Sequence, residues 1–285
     1  MNDRAYAFPE GGHPPQTMLH AGRAVFRTAY AVIPRGTMQA ITASLLPGWE
    51  RTRLWILARP LTGLAETFSQ YAVEIEPGGG FVGEGSAEPD AGVEGALFVA
   101  SGEARLTLDG AEHALAPGGL AYLPPGMPWG LRAQGAEPLR LQWLRKRYEP
   151  APGLAAPAPI VAQEAEIAPS EMPGTDGAWA TTRFMDPADM AHDMHVTIVT
   201  LAPGARIPFE ETHVMEHGLY VLQGRAVYRL NEEWVEVEAG DFMWLRAFCP
   251  QACTAAGPEP FRYLLYKDVN RHARLWGAGG AGGAP

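Results

Sequence analysis

Cysteine and positive charge are both scarce in this chain. Its 285 residues contain two cysteines, Cys249 and Cys253, which cannot build a disulfide framework and are expected to be free thiols. Charged residues make up 19% of the chain, and the excess of acidic over basic residues gives a formal net charge of −10. A negative surface repels the phosphates of nucleic acids and of anionic membranes, so neither is expected as a partner.

Long hydrophobic runs are also missing. No stretch is long and apolar enough to cross a bilayer, and the opening MNDRAYAFPEGGHPPQ lacks the apolar segment of a secretion signal. We therefore expect a cytoplasmic protein. With 47% hydrophobic residues the chain can nevertheless bury a sizeable core, as one large or two smaller domains.

Extended helical periodicity is a third absence. The 33 glycines and 26 prolines separate short runs of β-branched and aromatic residues, such as YAVEIEPGG, HVTIVTLAPG and EWVEVEAG. Such runs, with turn signals about every eight to twelve residues, are typical of an all-β sandwich or barrel, which is the fold class we predict. A Pro- and Ala-rich stretch at 147–177 divides the chain near its middle and is typical of a connector.

The chain repeats itself with a constant spacing. GALFVASGEARLTLDG and GLAYLPPGMPW in the first half resemble HGLYVLQGRAVYRLNE and DFMWLRAFCPQ in the second. The offset from Gly102 to Gly224 is 122 residues, and it is again 122 from Gly118 to Gly240. Because the same offset holds across a hairpin and a loop, the sequence indicates two copies of a single β-unit.

One stretch of the second copy, EETHVMEHGLYVLQG at 210–224, combines carboxylates and histidines. Side chains alternate between the two faces of a strand, so Glu211, His213 and His217 share a face if one unbroken strand runs through all three. Two imidazoles and a carboxylate supply three of the four ligands of a typical divalent-metal site. The alternative is that they are ordinary strand histidines beside a solvated glutamate.

Both copies resemble cupin domains, whose motifs are G-x5-H-x-H-x3,4-E-x6-G and G-x5-P-x-G-x2-H. Here the first motif is Glu211-x-His213-x3-His217-x6-Gly224, in which the acid and one histidine have exchanged places. Gln251 stands where the second motif carries its last histidine. The resemblance therefore implies Glu211, His213, His217 and Gln251 as metal ligands. Two nitrogen and two oxygen ligands suit Mn²⁺, Fe²⁺ or Zn²⁺, and the oxygen share favours Mn²⁺.

The first copy keeps the scaffold without these ligands. Gly95 corresponds to His217, and Trp129 corresponds to Gln251. Because an indole N–H is only a donor, we expect metal in the second copy alone. The predicted divisions of the chain are an N-terminal extension with strands packing on the barrels (1–64), a degenerate N-terminal cupin (65–150), a linker (151–177), a catalytic C-terminal cupin (178–272) and a flexible tail (273–285).

A narrower resemblance covers nearly the whole chain. The runs ETHVMEHGLYVLQG and PQACTAAG, with FRYLLYKDVNRH after them and LLPGWERTRLWILARP before, are similar to those of the (S)-ureidoglycine aminohydrolases of purine (allantoin) breakdown. This resemblance implies hydrolytic release of ammonia from (S)-ureidoglycine, with one Mn²⁺ in the second barrel.

The resemblance also implies roles for residues beyond the metal ligands. Glu211 is placed to move protons between water and the leaving amine. Alternation puts Tyr263 and Lys267 on one strand face, where the ammonium can pair with the substrate carboxylate and the hydroxyl can hydrogen-bond to it. Tyr228 could reach the same cavity. We therefore predict Glu211 and Lys267 as catalytic residues, and Tyr228, Tyr263 and Lys267 as substrate-binding residues.

Other features are given structural roles. His192 and His195 are three residues apart, so that alternation sends them to opposite faces, and we interpret both as structural. Four histidines are isolated and expected at the surface: His13, His20, His113 and His272. The remaining alternatives are another metal-dependent cupin enzyme acting on a small carboxylic acid and a non-catalytic small-molecule-binding cupin. A homo-oligomer is expected on symmetry grounds.

Overall fold

The computed structural model describes residues 23–38, 43–60, 63–269 and 271 and shows an all-β chain, which confirms the predicted fold class. Within these residues, no helix is long and apolar enough to span a membrane. The strands in chain order are β1 (Val25–Phe26), β2 (Tyr30–Ile33), β3 (Trp49–Ala58), β4 (Phe68–Phe81), β5 (Val93–Ser101), β6 (Glu103–Leu108), β7 (Ala111–Leu115), β8 (Gly119–Leu123), β9 (Trp129–Gln134), β10 (Leu139–Arg147), β11 (Ile160–Gln163), β12 (Ser170–Glu171), β13 (Trp179–Arg183), β14 (Met194–Leu201), β15 (His217–Gln223), β16 (Arg225–Leu230), β17 (Glu233–Glu238), β18 (Phe242–Leu245), β19 (Gln251–Ala255) and β20 (Phe261–Asp268).

The first barrel is one sheet with the strand order β11-β8-β5-β10-β4-β9-β6-β7, and β3 also pairs with β4. The long strand β4 joins the two halves of this sheet through the pair Gly80 and Arg132. A Cβ at Gly80 would lie 2.1 Å from the carbonyl oxygen of Leu131. Only glycine allows the backbones to approach so closely where the barrel closes.

The second barrel consists of two sheets. The larger has the order β1-β2-β18-β15-β20-β14-β13-β12, and the smaller has the order β17-β16-β19. Isolated bridges extend the smaller sheet, linking Glu211 to Gln251 and Arg206 to Thr254. The segment before β15 is thereby held against β19.

The segments outside the repeats complete both barrels. Strand β2 pairs with β18 of the second barrel, and β11, within the predicted linker, pairs with β8 of the first. The segment before the repeats thus adds a strand to the second barrel, and the stretch predicted as a linker carries two strands. The residue limits of the five predicted divisions stay predictions, and the predicted tail lies outside the described residues.

The repeat is present in the structure with the predicted offset. Strands β6, β9 and β10 begin 122 residues before β16, β19 and β20. Gly102 and Gly224 directly follow the equivalent strands β5 and β15, and each has a φ of +77°. A Cβ would lie 2.6 Å from the carbonyl oxygen of Pro138 in the first copy and 2.4 Å from that of Pro260 in the second. The same turn thus requires glycine in both copies.

Strand alternation separates two barrel interiors from a third core between the barrels. In β14, Val199 and Leu201 lie in the interior of the second barrel, whereas Val196 and Ile198 lie in the core between the barrels. The interior of the first barrel is filled by large side chains, including that of Trp129. The barrels therefore pack sheet against sheet, and each inner face is set by a period of two.

Two buried carboxylates occupy equivalent positions in the two copies: Glu94 is the second residue of β5, and Glu216 immediately precedes β15. Glu216 accepts hydrogen bonds from the backbone N–H of Thr67 at 2.9 Å and from the indole of Trp244 at 2.6 Å. Glu94 accepts one from the hydroxyl of Tyr122 at 2.7 Å, and its other oxygen has no partner within the described structure. Burial raises the pKa of Glu94 to about 7.

We expect Glu94→Gln to remove a pH dependence of stability. The folded protein keeps the Glu94 proton up to about pH 7, whereas the unfolded chain loses it near the ordinary value of 4.5, so stability falls as pH rises through this interval. Between pH 5 and pH 8 the variant should gain roughly 2–3 kcal/mol relative to the natural protein in urea unfolding. The exposed variant Glu112→Gln should not, and parallel pH profiles for all three proteins would contradict the assignment.

Candidate functional site

The acid and histidines of the second copy do not lie on one unbroken strand. Only His217 belongs to β15, whereas Glu211 and His213 lie in the preceding segment. Glu211 exchanges two backbone hydrogen bonds of 2.9 Å with Gln251, and the Phe248 N–H donates to the His213 carbonyl at 2.7 Å. The expectation of a continuous strand is wrong because these bonds hold the segment against β19 and its approach loop.

The same bonds bring the predicted ligands near one another by another route. The His213 Nε2 lies 3.4 Å from the Glu211 Oε2, and the imidazole rings of His213 and His217 have centroids 5.0 Å apart. Gln251 is buried on the interior face of β19, which it shares with Cys253 and Ala255. No three His, Cys, Asp or Glu side chains of the described residues converge into a ready metal cage. The candidate ligand side chains are adjacent, but they do not converge on one point.

The state of His217 suits metal binding. Its side chain lies at the interior end of β15, with 4% of the residue exposed. Burial, together with the neighbouring His213 and Lys267, lowers its pKa to about 3. A neutral imidazole offers a nitrogen lone pair, which a divalent cation requires. The donor set of two imidazoles, a carboxylate and an amide therefore fits such an ion.

Lys267 lies beside His217, on strand β20. The two residues are direct cross-strand partners, so their side chains project from the same face of the sheet. Burial lowers the pKa of the Lys267 ammonium, as does Arg183, and the charge of Glu211 opposes this shift. The predicted catalytic pair, Glu211 and Lys267, is thus close enough to interact electrostatically.

The predicted tyrosines lie deeper in the barrel. Tyr228 and Tyr263 are buried in the interior core with ring centroids 6.4 Å apart. Burial raises the pKa of both hydroxyls well above the ordinary value, so both stay protonated. Tyr263 is four residues from Lys267 on the same face of β20, and Tyr263 lies in the barrel interior. Glu211 and Cys253 both act electrostatically on Tyr263, which places its ring near the candidate ligands.

The other histidines and the two cysteines lie in different environments, and not all of them were expected from the sequence. His195 lies on the interior face of β14, opposite Lys267, which the sequence interpretation missed. His192 precedes β14 and packs edge-on against Tyr122 between the barrels, in agreement with a structural role. Cys249 and Cys253 are buried free thiols, as expected. His13, His20 and His272 lie outside the described residues, and His113 is partly buried on β7.

The equivalent end of the first barrel has different chemistry. Arg145 stands in the place of Lys267 and makes a two-pronged ion pair with Glu88, at 2.5 Å and 2.7 Å. Trp129, in the place of Gln251, packs edge to face against Trp143, with ring centroids 5.4 Å apart. A cavity of about 320 Å³ opens beside them. In the first barrel, therefore, the acid and the base form a direct ion pair, whereas the candidate donors of the second barrel remain separate.

Known proteins similar to this chain share its fold and length. A family model described as "Cupin domain" matches residues 72–145 and 197–266. The (S)-ureidoglycine aminohydrolase of Escherichia coli (strain K12) is 32% identical over 244 residues, which cover 84% of this chain and 89% of that protein. The (S)-ureidoglycine aminohydrolase of Arabidopsis thaliana is 32% identical over 251 residues, covering 88% and 79%. The chain belongs to this family of two-cupin proteins.

Two solved structures share this fold over nearly the whole chain. A crystal structure from Pseudomonas aeruginosa, whose name describes a glyoxylate-induced protein, is 56% identical with a TM-score of 0.85, covering 95% of this chain and 98% of that one. The Ylba protein of E. coli is 29% identical with a TM-score of 0.77, covering 92% and 100%. The sequence-based prediction of a cupin pair and of its family is therefore confirmed.

Proposed function

We propose that this member of the ureidoglycine aminohydrolase family hydrolyses (S)-ureidoglycine to (S)-ureidoglycolate and ammonia in purine (allantoin) catabolism. In this reaction the bond from the central carbon to the amine nitrogen breaks, and a bond to the oxygen of water forms. The names of its relatives support the substrate. The observation that carries the proposal is the placement of Lys267 beside His217, within electrostatic reach of Glu211.

The proposed cofactor is one Mn²⁺ per chain, held by Glu211, His213, His217 and Gln251. Bound there, a divalent metal would orient the substrate and polarise the carbon that water attacks. The carboxylate and amide oxygens favour a hard cation, and the two imidazoles add affinity. Two backbone hydrogen bonds join Glu211 to Gln251 and hold these two oxygen donors on neighbouring segments.

The chain's own residues supply binding and proton transfer. Lys267 pairs with the substrate carboxylate, and the Tyr263 hydroxyl donates a hydrogen bond to the bound substrate. These contacts turn the amine toward Glu211. The Glu211 carboxylate takes a proton from the attacking water and returns one to the departing amine. Tyr228 supports the Tyr263 ring through their edge-to-face contact. We place the enzyme in the cytoplasm as a homo-oligomer.

An ammonia-release assay tests the proposed reaction. The substrate should be freshly generated, since it is expected to decay on its own, and the product should be resolved by chirality. We expect Mn²⁺-loaded protein to release one ammonia per substrate and to form the (S) product alone, under anaerobic conditions as well as in air. A racemic product at the background rate would contradict the proposal.

A further inference from the structure

The imidazole of His195 has an unfilled hydrogen-bonding position. His195 is buried, with 8% of the residue exposed, and its Nε2 atom has no partner within the described structure. An unpaired buried polar atom costs about 1–3 kcal/mol, so such atoms are uncommon unless a water or ligand completes them. The Nδ1 atom of His192 is also unpaired, so the direction in which the His195 imidazole points has to decide its role.

The sheet register aims this imidazole into the candidate site. His195 on β14 is the direct partner of Lys267 on β20, which in turn is the partner of His217 on β15. Directly opposed residues project from the same face of a sheet. Val199 and Leu201, four and six residues further along β14, line the barrel interior, so His195 faces inward as well. Adjacent strands are about 4.8 Å apart, which spaces the three side chains in a row.

The end of this row around His195 carries an excess of positive charge. Arg183, at the end of β13, acts electrostatically on both Lys267 and His195. Within the described part of the chain, no carboxylate lies within 4.0 Å of the charged nitrogens of Arg183 or Lys267. Asp186 acts electrostatically on His195, and Glu211 acts on Lys267, but neither carboxylate forms an ion pair with the basic groups of this row. Two basic groups and an unpaired imidazole can therefore receive a bound carboxylate.

We propose that His195 and Lys267 together bind the carboxylate of the substrate, which extends the proposed function and rests on it. The His195 Nε2–H donates to one carboxylate oxygen, and the Lys267 ammonium pairs with the other. The carboxylate is thereby fixed at the His195 end of the row, and the central carbon attached to it faces His217 and Glu211. A small acid with its carboxylate on the reacting carbon is the substrate class that this spacing selects.

A stable pair of probes tests the carboxylate subsite without turnover. N-carbamoylglycine keeps the ureido group and carboxylate but lacks the leaving amine, and N-carbamoylglycinamide replaces the carboxylate by a neutral amide. Both are titrated calorimetrically into the metal-loaded protein. We expect His195→Phe, which keeps the ring volume, to weaken N-carbamoylglycine binding at least tenfold and to change amide binding less than twofold. Metal content should be unchanged.

Three further variants make the result decisive. His195→Gln carries an amide to the position of Nε2 and should recover part of the affinity, whereas His195→Asn is too short to do so. This pair keeps the test valid if His195→Phe does not fold. His192→Gln, a buried histidine on the other side, should bind both probes normally. Equal loss of both probes in the His195 variants, no loss, or no binding of N-carbamoylglycine by the natural protein would overturn the proposal.

The outcome is separable from that of the proposed function. Failure of the ammonia assay together with His195-dependent binding of N-carbamoylglycine would reject the reaction and retain the carboxylate subsite. Ammonia release with a His195→Phe variant that matches the natural protein in KM, kcat and probe binding would retain the reaction and reject the subsite.

Discussion

Lys267→Met is expected to lower kcat at least about a thousandfold, equivalent to about 4 kcal/mol of transition-state stabilisation, while the protein keeps its metal. Methionine preserves most of the length and apolar volume of the side chain but removes the ammonium. Lys267 lies beside His217 and near Glu211. The substitution therefore removes the positive charge that pairs with the substrate in the proposed mechanism. Ammonia-release kinetics and metal content, measured on the same preparation, check this result.

Two further substitutions on β20 distinguish a loss of catalysis from a loss of folding. Tyr266→Phe alters the neighbouring residue, which faces the core between the barrels, and should retain activity close to that of the natural protein. Lys267→Arg keeps the charge but changes its shape and should recover only part of the activity. An active Lys267→Met variant would remove this residue from the site.

His217→Ala is expected to lose both the metal and the activity. The residue supplies a buried, neutral imidazole next to His213, and the small side chain of alanine leaves that position without a nitrogen ligand. We expect metal content near zero after dialysis and kcat reduced at least about a thousandfold, because metal-dependent orientation and polarisation are lost together.

The control for this substitution is a histidine in the other barrel. His113→Ala on β7 should leave metal content and kcat unchanged. A His217→Ala protein that retains one metal per chain would show that the metal is bound elsewhere, even if the variant is inactive.

The internal repeat explains why so much of the fold could be predicted. A constant offset ties each residue of one copy to a counterpart, so Gly102 and Gly224 occupy the same glycine-requiring turn. The alternation of β20 likewise puts Tyr263 and Lys267 on one face of the strand, and Tyr263 lies in the interior core. Both inferences depend on local backbone geometry, which short-range sequence patterns record.

The remaining features depend on contacts between distant segments. Glu211 and His213 leave the expected strand because the backbone of Glu211 bonds to Gln251, forty residues later. The interpretation of His195 as structural assumes one strand through His192 and His195, whereas β14 begins at Met194. Its partner, Lys267, is set by sheet register, which only the folded chain specifies.

The two barrels show how a few substitutions separate a structural unit from a proposed catalytic one. At the position of Lys267 the first barrel has Arg145, whose fork-shaped group pairs directly with Glu88. At the position of Gln251 it has Trp129, which belongs to its packed interior. An acid paired with its own base is not available to a substrate, so we propose a structural role for the first barrel.

Pulsed electron paramagnetic resonance of the Mn²⁺-loaded protein tests the central claim most directly, because it detects nitrogen atoms bound to the metal. We predict couplings to two imidazole nitrogens, with one lost in His213→Ala, which retains weakened binding. Bound Mn²⁺ without nitrogen couplings, or couplings unchanged by substitution of His213, would contradict a metal centre built from these side chains.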